Sequence, residues 1–161
     1  MIKIKPFKQS RGMCGPACMK MVMDYYGVVR AEKHWVKLTA NKIDKKTGKI
    51  NLFYGCSERK MVESAKALGF KGATKQHSSI GELKRYIKRG IPVIVNWNSP
   101  TQGSHFSVVI GFDKNKIILA DPEFGKMTKW KVVDFVDRWF DFLGPPCKKN
   151  LLLRGVVVIY R

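Results

Sequence analysis

The sequence predicts an α+β fold in which helices come first and a mainly antiparallel sheet follows. Three observations lead there. Between residues 14 and 90, apolar positions recur at helical spacing and are punctuated by serine caps and glycine stops. From residue 91 onward, short runs rich in β-branched and aromatic residues take over. The chain has 161 residues, is 45% hydrophobic and contains no linker-like or repeated stretch, so one domain with one core is expected over residues 1–161.

The elements follow in order. Residues 2–5, "IKIK", alternate and suggest a short strand. "CGPACMKMVMDYY" is a helix: Pro16 suits its first turn, where a missing N–H costs nothing, and Gly27 stops it. Ala17, Met21, Val22 and Tyr25 form one apolar face, and Cys18, Met19 and Met23 widen it, so this helix should be central. A second helix lies near "RAEKHWVKL", and "TANKIDKKTGKIN" reads as a polar loop. A third covers "SERKMVESAKALGF", with Ser57 as N-cap, Met61, Ala65 and Leu68 on one face and Gly69 as stop. In the fourth, "SSIGELKRYIKRG", Ser79 and Glu82 have capping-box spacing, Leu83 and Ile87 share a face, and Gly90 ends the pattern. Then "IPVIVNW", "HFSVVIGF", "KIILAD", "KMTKWK" and "LLLRGVVVIY" read as strands, with a short helix in "KVVDFVDRWF".

Charge and targeting signals narrow the setting. Lys plus Arg number 31 against 12 Asp plus Glu, a formal charge of +19. Such a surface attracts polyanions, but the lysines spread along the whole chain, and no zinc-finger spacing, RNP motif or phosphate-binding loop accompanies them. A solvated lysine-rich surface is therefore preferred over a specific nucleic-acid partner. The start has no apolar signal region, and the longest oily run, at the C-terminus, is too short for a membrane span and contains Arg154. A cytoplasmic protein is expected.

The cysteines are Cys14, Cys18, Cys56 and Cys147. No CxxC pair exists, which argues against structural zinc, and no metal or other cofactor is expected. Cys14 and Cys18 would lie on one helix with Cβ atoms roughly 6 Å apart, too far for an unstrained disulfide. Cys14 stands at the helix N-terminus, where orphan N–H donors and the dipole favour a thiolate, and Gly15 beside it permits close approach. That is the position of an activated nucleophile, although a small buried hydrophobe would fit the local sequence equally well.

A nucleophilic cysteine needs a base, and the base an orienting group. His34 lies in a lysine-rich helical stretch and His77 in a polar loop; His105 opens a strand just after Gly103 and Ser104. Asp121 closes the next strand before Pro122, suited either to orient an imidazole or to cap a turn. Register discriminates. With an even hairpin loop, Asp121 faces Val108 and points away from His105. With a three-residue loop, Asp113 to Asn115, or with a compensating bulge, Asp121 pairs with Ser107 and lies diagonal to His105 on the same face. Gln9 could donate its side-chain amide to an oxyanion together with the Cys14 N–H.

Taken together, "QSRGMCGPACMKMVMDYYG" followed by "GSHFSVVIGFDKNKIILADPEFGKMTKW" and "DFVDRW" resembles the C39 family of papain-like cysteine peptidases over nearly the whole chain. The resemblance implies a papain-like fold, with the nucleophile helix packed on the sheet. It implies Cys14 as nucleophile, His105 as general base and acid, Asp121 as orienter and Gln9 as oxyanion donor. Three positions depart from the family pattern: Gln9 is one residue closer to Cys14 than usual, Met13 replaces an acidic or small polar residue, and Cys18 replaces a small one. Cys18 is read as core.

The implied activity is peptide-bond hydrolysis, typically after a small Gly-Gly-like pair in a leader or precursor peptide. A narrow groove lined by Trp97, Asn98, Gly103 and Ser104 is expected to admit small side chains. The positive surface would suit an acidic peptide, and association with an exporter or an anionic surface is compatible with it. Three other readings stand beside this one: a non-catalytic peptide-binding module, a basic nucleic-acid-binding protein, and acyl transfer to an amine instead of water.

Overall fold

The computed structural model describes residues 1–40, 55–143 and 150–161. Cys147 and most of the polar loop expected after residue 39 lie outside the described residues.

Three helices come first: α1 (Cys14–Tyr25), α2 (Glu32–Thr39) and α3 (Glu58–Lys66). Strand β1 (Lys71–Lys75) and helix α4 (Ile80–Lys88) follow, and then β2 (Val93–Ser99), β3 (Gly103–Asp113), β4 (Lys116–Asp121) and β5 (Lys126–Lys131). The chain closes with α5 (Val132–Asp137), β6 (Phe140–Leu143), β7 (Asn150–Leu153) and β8 (Gly155–Tyr160). Six strands form one antiparallel sheet in the order β1-β8-β2-β3-β4-β5, and β6 pairs with β7 separately.

Alternation along the strands gives the sheet two buried faces. On one, Ile94, Phe106, Val108, Ile118 and Val157 pack under α1, α2 and α3 through Met19, Trp35 and Met61. On the other, Val93, Trp97, Val109, Leu119 and Val158 pack with Leu83 of α4, Phe135 of α5 and Trp139. Caps start the helices where the sequence places them. The Ser57 hydroxyl accepts from the Lys60 N–H, and Ser79 and Glu82 form a complete capping box. Gly69 (φ +84°) and Gly90 (φ +73°) follow α3 and α4 in the left-handed conformation that ends a helix.

Several expectations change. Residues 2–5 are not a strand. Ile2 and Ile4 are buried, but the Ile2 N–H donates to the Ile110 carbonyl, at the site where β3 bulges and its own ladder is interrupted. Tyr25 is 37% exposed, its hydroxyl donating to the Gly90 carbonyl. Leu68 is 45% exposed because α3 has already ended at Lys66. "LLLRGVVVIY" is two strands in two sheets. The chain breaks at Arg154 (φ +50°), and Gly155 sits where a Cβ would lie 2.7 Å from Leu152 Cδ2. Strands β1 and β6 have no counterpart in the sequence reading. The first, "KGATK", is a lysine-bearing edge strand with little apolar content.

Candidate active site

The site forms where the N-terminus of α1 meets the ends of β3 and β4. Gly12, at φ +73°, turns the chain into α1, and the Met13 N–H closes that turn onto the Ser10 carbonyl. Among the described residues no side chain caps α1, which leaves its first-turn N–H groups around Cys14 without a side-chain cap there. Gly15 is required here by packing: a Cβ would lie 2.6 Å from Cys56 Cβ and 2.9 Å from Met61 Cε. Cys14 is half-buried and is a free thiol, as are Cys56 and the fully buried Cys18. Burial pushes the Cys18 thiol well above its ordinary pKa, with the Cys14, Asp121 and Cys56 charges acting the same way. It behaves as a core residue.

His105 and Asp121 are brought together by a register shift. The hairpin loop is two residues, not three: Asp113 pairs with Lys116, and Lys114, not Asn115, takes the left-handed conformation (φ +52°). That even loop alone would turn Asp121 away from His105. The register then shifts between Val109 and Gly111, so Val108 pairs with Ala120 and Asp121 comes opposite Ser107. The extra residue restores the face that a plain hairpin would lose. His105 Nε2 and Asp121 Oδ1 are 2.9 Å apart, both side chains buried, and the same carboxylate oxygen accepts the Glu123 N–H at 3.0 Å.

The other ring nitrogen, Nδ1, is buried and has no hydrogen-bond partner among the described residues. Burial pulls the imidazole pKa down. Hydrogen bonding from Asp121 and Cys14, and the charges of both, push harder and raise it to about 9. Cys14 and Asp121 thus both act electrostatically on one imidazole, Asp121 through a hydrogen bond to Nε2.

Gln9 lies beside this series. Its backbone N–H donates to the Pro122 carbonyl at 2.9 Å, its Nε2 reaches Gln102 Oε1 at 3.5 Å, and its Oε1 is buried without a partner. Gly103 (φ +69°) and exposed Ser104 lead directly into His105, and the space beside Gly103 is open. Asn98 is half-buried, with its N–H on the Arg138 carbonyl. Trp97 does not line a groove. It is fully buried on the His105 face of the sheet, ring centroid 6.2 Å from the imidazole, and its Nε1 donates to Ser107. Its strand position puts it beneath the histidine, so it can support the ring but has no surface for a substrate.

Among the described residues, His105, Asp121 and Glu123 are close enough to be considered as metal ligands. Asp121 accepts from His105 and from the Glu123 backbone N–H, and the Glu123 carboxylate accepts the Thr101 hydroxyl at 2.6 Å. Sequence reasoning missed Cys56, Glu58, Asn96 and Asp141. Cys56 packs against Gly15, and the Asn96 amide approaches Glu58 Oε1 at 3.4 Å. Asp141 accepts the Ser104 hydroxyl at 2.6 Å. The acidic first-turn position of Glu58 and the break in apolar pattern at Asn96 were the available signals, and both are weak alone.

The fold is that of C39 peptidase domains. The peptidase domain of Streptococcus ComA, a bifunctional ABC transporter involved in quorum sensing, is similar at a TM-score of 0.72 and 23% identity, covering 98% of each chain. A double glycine motif protease from an AMS/PCAT transporter, solved with its leader peptide, is similar at TM-score 0.70 and 17% identity, over 98% of this chain and 91% of that one. A C39-like peptidase from Bacillus anthracis follows at TM-score 0.69 and 18% identity, over 98% and 95%. No curated protein is significantly similar in sequence. The model of the Peptidase_C39 like family matches residues 1–143, and with that match the chain belongs to this family.

Proposed function

We propose that this protein is a cysteine peptidase that hydrolyses a peptide bond through Cys14, His105 and Asp121. The observation that carries the proposal is the imidazole of His105, held by Asp121 at 2.9 Å and acted on by the Cys14 thiol so that its pKa rises to about 9. His105 takes the thiol proton, and the sulfur attacks the peptide carbonyl. The Cys14 N–H and the Gln9 amide hold the oxyanion. The imidazolium returns its proton to the leaving amine, and water then hydrolyses the thioester to the free acid. Asp121 keeps the ring oriented throughout.

The neighbours support a substrate class. One belongs to an ABC transporter and another is a double glycine motif protease from an AMS/PCAT transporter solved with its leader peptide, and on that likeness a leader or precursor peptide cut after a small pair is the substrate we assign. A cytoplasmic setting agrees with three free thiols among the described cysteines. A purely peptide-binding module would have no use for a thiol coupled to a histidine–carboxylate pair.

Cleavage of a peptide library by the purified chain tests the proposal. Turnover is expected with a preference for small residues at the cut, and its loss in both Cys14→Ala and His105→Ala. Cleavage that survives Cys14→Ala would refute it.

A further inference from the structure

Glu58, Asn96 and Asp141 converge from three separate elements. Glu58 opens α3, Asn96 lies on β2 and Asp141 on β6. Their location flanks both catalytic residues. Cys56, two residues before Glu58, packs on Gly15 beside Cys14, and Ser104, which donates to Asp141, immediately precedes His105.

The buried atom of this cluster left without a partner among the described residues is an acceptor. Asn96 is 1% exposed and spends its Nδ2 on Glu58, leaving Oδ1 buried with no partner. Asp141 is 3% exposed and, among the described residues, accepts the Ser104 hydroxyl and the Phe142 N–H. The chain carries 31 Lys and Arg, yet among the described residues neither carboxylate forms an ion pair. Burial first, and the Asp141 charge as well, push Glu58 up to about 7, with Asn96 acting the other way. Pairing with the helix dipole would explain a carboxylate at the first turn of α3 but neither Asp141 nor the orphaned Asn96 oxygen. A donor carrying positive charge would satisfy all three groups at once.

We propose that Glu58, Asn96 and Asp141 form a subsite that takes a cationic group of the substrate, a lysine, arginine or amino terminus next to the bond that Cys14 attacks. The subsite rests on the peptidase reading above and gives it a charge preference. It runs against the overall field of the molecule, which at +19 repels cations and draws anions. The surface would gather an acidic stretch farther along the peptide, while the subsite selects a cation close to the cut.

Thiol chemistry tests this without a known substrate. The full chain is treated with three methanethiosulfonates that each transfer a short tail to sulfur and release methanesulfinate: 2-aminoethyl, 2-sulfonatoethyl and neutral ethyl. Rates at Cys14 are read by peptide mapping, and the cationic and anionic rates are divided by the neutral one. This removes any change in thiol reactivity common to all reagents. The expected result is a cation-over-anion preference at Cys14 that falls roughly five- to tenfold in Glu58→Gln and in Asp141→Asn. Glu58→Gln preserves shape and stands alone if Asp141→Asn disturbs β6. A ratio unchanged in Glu58→Gln, or a wild-type preference for the anion, overturns the subsite; a lysine of the chain itself filling the cluster would give the same negative result. The peptidase reading fails separately, through absence of Cys14-dependent cleavage.

Discussion

His105 has one nitrogen committed and one buried without a hydrogen-bond partner among the described residues, and that setting shapes its titration. Nε2 meets Asp121, and the Cys14 thiol acts on the ring from the other side. Because the pKa is raised to about 9, the imidazolium stabilises the fold most fully below the free value of about 6.5. That contribution disappears as pH rises through about 9. In the proposed mechanism this proton goes to the leaving amine, so the rate of peptide cleavage is expected to fall on an alkaline limb near pH 9. Asp121→Asn removes the largest upward influence; the limb should move to lower pH and the rate drop on the order of a thousandfold. A pH–rate profile of that variant with its limb unmoved would break the link. Gly15 is the second decisive residue. An alanine there meets Cys56 within 2.7 Å, and Gly15→Ala should cost about 1–3 kcal/mol in chemical denaturation as α3 is forced away from α1.

Elements differ in how openly their sequences declare them. The helix α4 is announced by its capping box and its single buried leucine, and it forms where expected. Ser79→Ala should lower unfolding stability by about 1 kcal/mol in urea titration. A change below a few tenths would mean that the box is idle. α1 was legible because Gly and Pro punctuate an oily run, and β4 because an acid ends it. β1 was not, since "KGATK" has no apolar alternation and is a strand only because β8 offers it an edge. The terminal run read as one strand because Arg154 gives no local hint of a left-handed turn; the reason lies in Gly155 packing on Leu152. The register of Asp121 was legible as a choice but not as a solution. The bulge near Ile110 depends on the N-terminal segment bonding to it, a long-range contact that no local pattern contains. Trp97 was misjudged for a related reason: its place beside His105 was readable, but its burial required knowing that α5 covers that face.

The molecule as a whole is a sheet covered on both faces, with its chemistry at one end of the central strands. Much of the +19 charge is surface design: Lys71 and Lys75 line one edge strand, and Lys126, Lys129 and Lys131 the other, where they discourage pairing with further strands. Against that positive background, the acidic cluster of Glu58 and Asp141 stands out as local selectivity. The site itself is a whole-molecule property, since a helix start, a strand start and a strand end must coincide for Cys14, His105 and Asp121 to act together. An NMR titration of the His105 imidazole measures that coincidence most directly. The expected midpoint is about 9 in the wild type, falling in both Cys14→Ala and Asp121→Asn. A wild-type midpoint near the free value of about 6.5, indifferent to both substitutions, would contradict it.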